Sequence, residues 1–312
     1  MNNMTAKKAP LFLSIFILVA LACDMSVTVA SPTAQVPAAT STVMPAAATL
    51  TQLPASPTES PATPVPATAT LPPPTAQGVD VEVSQLKMVL SPAIASGASG
   101  SQMPRVDGAD EPTWGKTPGH LQVKLEGYAL QGRFHEPQIY VYPGLDYAQL
   151  VPAAFESIHR LDNILYVPGG PTLNDQLPGV PFFNAQQVFA SNVQVISFQN
   201  GQGVRFLTEY AQYADSANNH DLFYHFQGLT RDGNYYVIAI LPISVPLLAE
   251  TSDPGAPLPT GGVPYSYYSD PNADMQLYYK SVTEILNATP SEMFTPSIDQ
   301  LDQLIQSMQI AP

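Results

Sequence analysis

The residues best suited to chemistry form one short run, Asn218-Asn219-His220-Asp221, followed at a short distance by His225. Imidazole and carboxylate side by side are donors that a divalent metal accepts, and a metal-bound water would make a hydrolase. The spacing argues against a rigid site. If 222–228 is a strand, His225 shares a face with Phe223 while His220 lies in the preceding loop, and no HExxH or His-x-His pair completes a ligand set. His135 and Glu136, beside Arg133, are a second candidate, for acid–base work. Neighbours on an extended chain point to opposite faces, so an edge where the chain turns is the simpler role. His159 and Arg160 fall on the solvent side of a predicted helix. Gly169-Gly170 and Gly201-x-Gly203 lack the Lys-Ser/Thr that would follow in a phosphate cradle, and no serine has a Gly-x-Ser-x-Gly setting. No motif calls for a cofactor. Tyr265, Tyr267 and Tyr268, with Tyr278 and Tyr279, crowd one loop and the helix after it. They are candidates for an aromatic groove taking peptide or glycan, although half-buried helix and strand positions use tyrosine equally well.

The elements that would position these residues can be read from periodicity. Alternation over 79–83, extending toward Leu90, predicts a first strand. A Gly/Ser/Ala/Pro-rich loop over 91–119 follows, and its Trp114, the only tryptophan, is expected to close it onto the core. Strands are predicted over 120–130 and 137–142. Tyr147, Leu150, Val151, Ala154, Phe155, Ile158, Leu161 and Leu165 then fall at helical spacing, with Asp146 as cap and Pro152 early in the helix or kinking it. Asn184 can cap a short helix over 185–190. Alternating runs 193–198, 204–210, 222–228 and 235–241, joined by Asn200-Gly201-Gln202-Gly203 and Arg231-Asp232-Gly233-Asn234, predict two hairpins and hence a four-strand meander over 192–243. The continuous apolar run Val237 to Leu241 fits a central strand covered on both faces. Asp270-Pro271 and Thr295-Pro296 each read as a cap with proline in the first helical position, opening two amphipathic helices. The expected fold is α+β: a twisted antiparallel sheet built around the meander and covered by helices.

The amino-terminal quarter is a different material. Lys7 and Lys8 precede the apolar run Leu11 to Ala22, too short to span a bilayer, where roughly 20 residues are needed, but suited to a signal peptide. Ala20-Leu21-Ala22 stands before Cys23, the only cysteine, and this resembles the lipobox of bacterial lipoproteins, with Ala20 where leucine is commonest. The resemblance implies removal of residues 1–22, acylation of Cys23, and residence on the outer face of a membrane through chains that give stable attachment when two or more are present. It leaves no thiol for a disulfide. Residues 24–77 contain 11 Pro, 11 Thr and 12 Ala, with Asp24 and Glu59 the only charges. That composition reads as a disordered stalk, about 40 Å in r.m.s. span as a coil and ~170 Å fully extended, and its Thr/Ser/Pro mixture is a candidate O-glycosylation tract.

From Gly78 onward, 9 basic residues face 23 acidic ones, so the folded part carries all of the −14 formal charge. Such a surface repels phosphate backbones and anionic head groups, which excludes nucleic acid as a direct ligand and leaves the acyl chains as the contact with membrane. The meander, the strand Tyr235 to Leu241, the long loop after it and the terminal helix Ile298-x-x-Leu301-x-x-x-Ile305-x-x-Met308 are together similar to the PsbP-like family. That resemblance implies a small exported domain that binds and assists other proteins, and no functional residue is carried over from it. The sequence thus points to a membrane-anchored extracytoplasmic lipoprotein whose domain, 78–312, is a non-enzymatic binding or accessory module with a protein or glycan partner. A metal-assisted hydrolase of envelope material, using His220, Asp221 and His225, is the competing expectation.

Overall fold

The computed structural model describes residues 78–166, 177, 179–266 and 273–312. Cys23, the stalk, Gly169-Gly170, Tyr267, Tyr268 and the Asp270-Pro271 cap lie outside them.

Among the described residues, two antiparallel sheets and four α-helices make an α+β fold. The strands are β1 (Val79–Val83), β2 (Leu86–Leu90), β3 (Gly97–Met103), β4 (His120–Glu126), β5 (Gln138–Pro143), β6 (Gln186–Phe198), β7 (Gly201–Ala211), β8 (Phe223–Thr230), β9 (Tyr235–Pro242) and β10 (Gln309–Ile310). The helices are α1 (Gly144–Leu150), α2 (Pro152–Tyr166), α3 (Met275–Ala288) and α4 (Ile298–Ser307). The large sheet runs β3-β4-β5-β9-β8-β7-β6, and β1-β2-β10 form the small one. The four-strand meander is β6 to β9, paired in sequence order, and β9 closes it against β5.

Alternation on the central strands builds two cores. Val237, Ala239 and Leu241 of β9 join a layer that includes Val282 and Leu286 of α3 and Leu301 and Ile305 of α4. Tyr236, Ile238 and Ile240 join the opposite layer, with Tyr147 of α1 and Ala154 and Leu161 of α2. The near-continuous apolar strand is therefore buried on both faces, at about 1.5–3 kcal/mol for each large aliphatic side chain removed from water. Below the helices, the ends are fixed by local chemistry. Asp274 accepts from the Leu277 N–H at 2.9 Å to cap α3. Ser297 and Gln300 form a reciprocal capping box on α4. Buried Arg205 on β7 reaches Asp302 of α4 at 3.1 Å, and Tyr224 donates to the same carboxylate at 2.8 Å, pinning the last helix to the sheet.

Several sequence expectations are corrected. Residues 79–90 are a hairpin, not one strand, because Ser84 adopts φ 53° at the turn. The loop 91–119 contains β3, an edge strand of glycine, serine and alanine whose weak propensity is overridden by pairing along all of β4. Gly100 is required there: a Cβ would meet the Val83 side chain at 2.1 Å where β1 lies across it. Trp114 sits in a 3₁₀ turn, Thr113–Gly115, and is 51% exposed, so it does not close the loop onto the core. Pro152 ends one helix and begins the next, with Pro143 at the N-cap and Asp146 in the first turn of α1. Phe155 faces solvent. Residues 186–190 extend β6 against Tyr210 and Ala211, in place of the expected helix. Thr295-Pro296 is a cis peptide just before α4, and Ser297 takes the capping role. Among the described residues no helix is long and apolar enough to cross a membrane.

Candidate functional site

The run 212–222 connects β7 to β8 at one end of the large sheet, and its polar residues are tied first to each other. Buried Asn219 donates to the carbonyls of Val245 and Leu248 and accepts from the Val245 N–H, so it holds the chain after β9 in place. Asn218 donates from its side chain to Asp221 at 3.0 Å and accepts from the Asp221 N–H at 3.1 Å. His220 Nδ1 meets Asp221 Oδ1 at 2.7 Å. Three of the four residues of the polar run therefore form one closed turn with the Asp221 carboxylate at its centre.

A second segment, distant in sequence, docks on this turn. The Phe134 N–H donates to the His220 carbonyl at 2.8 Å, and Arg133 pairs with Glu250 at 2.8 Å. This brings His135 into a nest of rings: its centroid lies 4.3 Å from Phe223, 5.3 Å from Phe183 and 4.9 Å from Phe134. Burial among them pulls its imidazole down to about 4, so it is neutral at physiological pH.

Between the two segments and the end of β7 opens a cleft of about 410 Å³. Its lining includes Phe134, His135, Phe183, Glu209, Tyr213 and Asp221. Glu209 is only 5% exposed. By strand alternation it shares a face with Leu207, on the α3–α4 side of the sheet. One of its oxygens accepts the Asn218 N–H at 2.8 Å. Burial, with Asp221 and Asp215 adding repulsion, raises its carboxyl well above the ordinary range. Phe134 and Tyr213, 65% and 70% exposed, leave broad rings to solvent at the cleft.

The structure separates the three residues of the metal expectation. Asp221 lines the cleft and His220 bonds to it, but His225 points into the α1–α2 core, fully buried, with Nε2 3.1 Å from the Val180 carbonyl. Burial pulls that imidazole down to about 3. Among the described residues no three His, Cys, Asp or Glu side chains gather as metal ligands. His135 and Glu136 diverge as extended neighbours do, for Glu136 bonds Lys124 at 2.6 Å on the outer side of the sheet. His159 is exposed, whereas Arg160 is half-buried against the Leu177 carbonyl. Gly201 and Gly203 cradle rings: a Cβ would meet Phe198 at 2.1 Å in one case and Phe226 at 2.6 Å in the other. Tyr265 is packed edge-on to Tyr278, 4.9 Å between centroids, and donates to the Ala214 carbonyl at 3.0 Å, so its ring supports the 212–222 connection from behind. The aromatic groove is thus made by Phe134, Phe183, Tyr210 and Tyr213. Phe134 adjoins the His135-Glu136 candidate, but no motif marked Phe183, Tyr210, Tyr213 or Glu209.

No protein-family model, curated protein or solved structure matches this chain.

Proposed function

We propose that this chain is an acyl-anchored extracytoplasmic lipoprotein whose α+β domain is a non-enzymatic binding or accessory module, with the 410 Å³ cleft as its ligand site. The anchor is supported by the lipobox-like run ending at Cys23 and by the Pro/Thr/Ala stretch after it, which gives a displayed domain reach. The ligand site is supported by one observation above the others. Two large rings, Phe134 and Tyr213, stand open to water beside a concave surface whose floor is polar and internally organised. Small-ligand sites have this composition: apolar walls with a few fixed polar groups. The volume falls within the roughly 300–1,000 Å³ of such sites.

The test is a small-molecule screen on the purified full chain, read by NMR chemical shifts. Hits are expected to move the resonances of Phe134, Gln212 and Tyr213. The pair Phe134→Ala and Tyr213→Ala together should weaken them at least tenfold, as removal of aromatic anchors does. Hits that bind the double variant unchanged would place the ligand elsewhere.

A further inference from the structure

At the β3 rim of the large sheet the main chain is left half used. The seven residues of β3 pair with β4 one to one, without a register shift. Which of their peptide groups face outward follows from the strand beyond. The Leu125 N–H donates to the Pro137 carbonyl at 3.0 Å, so Leu125, and with it Val123 and Leu121, turns its main chain toward β5. Glu126, Lys124 and Gln122, in between, turn theirs toward β3, where they meet Gly97, Ser99 and Ser101. Ala98, Gly100 and Gln102 therefore direct their N–H and C=O groups away from the sheet. Among the described residues no main-chain hydrogen bond reaches them from that side. Edges of this kind are ordinarily blunted by a charge, a proline or a bulge. β3 carries no charged residue, no proline and no shift against β4.

We propose that β3 is a self-association edge, at which two copies of this chain pair β3 to β3, antiparallel, about a two-fold axis at Gly100. In that register Ala98 stands opposite Gln102 of the partner subunit, and Gly100 opposite Gly100 of the partner subunit. All the outward residues then meet outward residues, and each pair exchanges both main-chain hydrogen bonds. A slip of one residue would set them against residues whose N–H groups β4 already uses, and a slip of two would forfeit a bonded pair. The strand is thus complementary to itself in one best register.

Charge favours a second copy here over any other face. The chain carries −14, so most ways of bringing two copies together set acid against acid. β3 offers a neutral meeting line, and acids near it are matched locally: Glu82 pairs with Lys87 at 3.1 Å, and Glu136 with Lys124 at 2.6 Å. On the α3–α4 side, Val83 of β1 lies over Gly100, where an added Cβ would meet its side chain at 2.1 Å. The two-fold axis sets the Val83 side chains of the two copies beside each other, an apolar contact added to the main-chain pairs. Both copies spend the same edge, so the contact closes on itself as a dimer. None of this depends on the cleft or on the anchor.

The test uses the full chain carrying Cys23→Ser, which has neither acyl chains nor a thiol of its own. Ser99 and Ser101 are exposed, and in the proposed register they stand opposite each other as a non-bonded pair. Such pairs have Cα atoms about 4.5 Å apart and diagonal neighbours about 7–8 Å, whereas a disulfide needs less than about 7 Å. Ser99→Cys and Ser101→Cys are therefore prepared as separate chains and oxidised alone and mixed. The mixture should cross-link at least about fivefold more than either chain alone, because only it places cysteine opposite cysteine. In sedimentation velocity the parent should pass from monomer to dimer as its concentration rises. Ser99→Glu with Ser101→Glu sets acid opposite acid and should hold the chain monomeric with an unchanged melting temperature. Ser99→Lys with Ser101→Glu sets opposite charges face to face and should restore the dimer. A parent that stays monomeric throughout, cross-linking of either chain alone as strong as that of the mixture, or a dimer that survives the paired glutamates would overturn the proposal.

Discussion

His225 and Glu209 show what a two-faced core does to titratable groups. Both sit on central strands, β8 and β7, and water is excluded from either face. His225 is pulled down to about 3 from an ordinary value of 6.5, with burial the first cause. The unfolded chain therefore takes this proton near pH 6.5 and the folded chain does not until about 3. Stability is full above 6.5 and is lost as pH falls through that window, by about 4 kcal/mol at pH 3 from this residue alone. Denaturant melts at pH 7, 5 and 3 should show the decline, and His225→Gln should flatten it. A slope that survives the substitution would assign the acid sensitivity to other groups. The same logic explains which site residues could be read beforehand. The polar run 218–221 stands out in any sequence, and the 133–136 segment also draws notice, but nothing in either says they touch. Glu209 was invisible for a different reason. In the alternating run 204–210 it occupies the polar half of the pattern, which predicts a solvated face, whereas α3 and α4 cover that face.

At the scale of elements, short-range signals were reliable where two of them agreed. The hairpins β6–β7 and β8–β9 combine period-two alternation with turn residues and both form, but the first turn is Gln199-Asn200, two residues tighter than expected, so Gly201 to Gly203 already pair within β7. The two-sided burial of β9 was written in its run of five apolar residues. Reading failed where a long-range partner decided the outcome. Residues 186–190 fit a capped helix as well as a strand until β7 pairs with them. The glycines of β7 and β8 are a further case. A Gly-x-Gly in a turn suggests a ligand cradle, yet Gly201, Gly203 and Gly228 leave room for the Phe198 and Phe226 rings, packed edge-to-face, to approach the sheet backbone. Gly203→Val is therefore expected to cost about 3 kcal/mol, since its Cβ would also stand 2.2 Å from the Gln227 carbonyl. Thermal unfolding should fall by roughly 6–12 °C for a domain of this size. A melting temperature within 2 °C or so of the parent would show that the rings can move aside.

Over the whole molecule, the proposed anchor and the domain divide the work of location and recognition. Cys23→Ser should prevent incorporation of labelled fatty acid and move the protein from the membrane fraction to the soluble one. Continued membrane retention would mean that something other than acyl chains holds it. The domain must fold without disulfides, and the two helical layers around one seven-stranded sheet supply the burial that allows this. The sheet has two rims, β3 and β6. On β6 the register with β7 shifts between Gln187 and Phe189 and again between Ser191 and Gln194. Asn287 of α3 accepts the Asn192 N–H, and Arg205 donates to the Asn192 carbonyl. At this point the rim has no straight row of free peptide groups to offer a second strand. Under a shared lipid anchor, copies of the chain would meet at high density in two dimensions, where edge-to-edge polymerisation is hard to avoid. If the chain is anchored as proposed, the kinked rim of β6 would deny a crowded neighbour a strand-pairing edge on that side of the sheet.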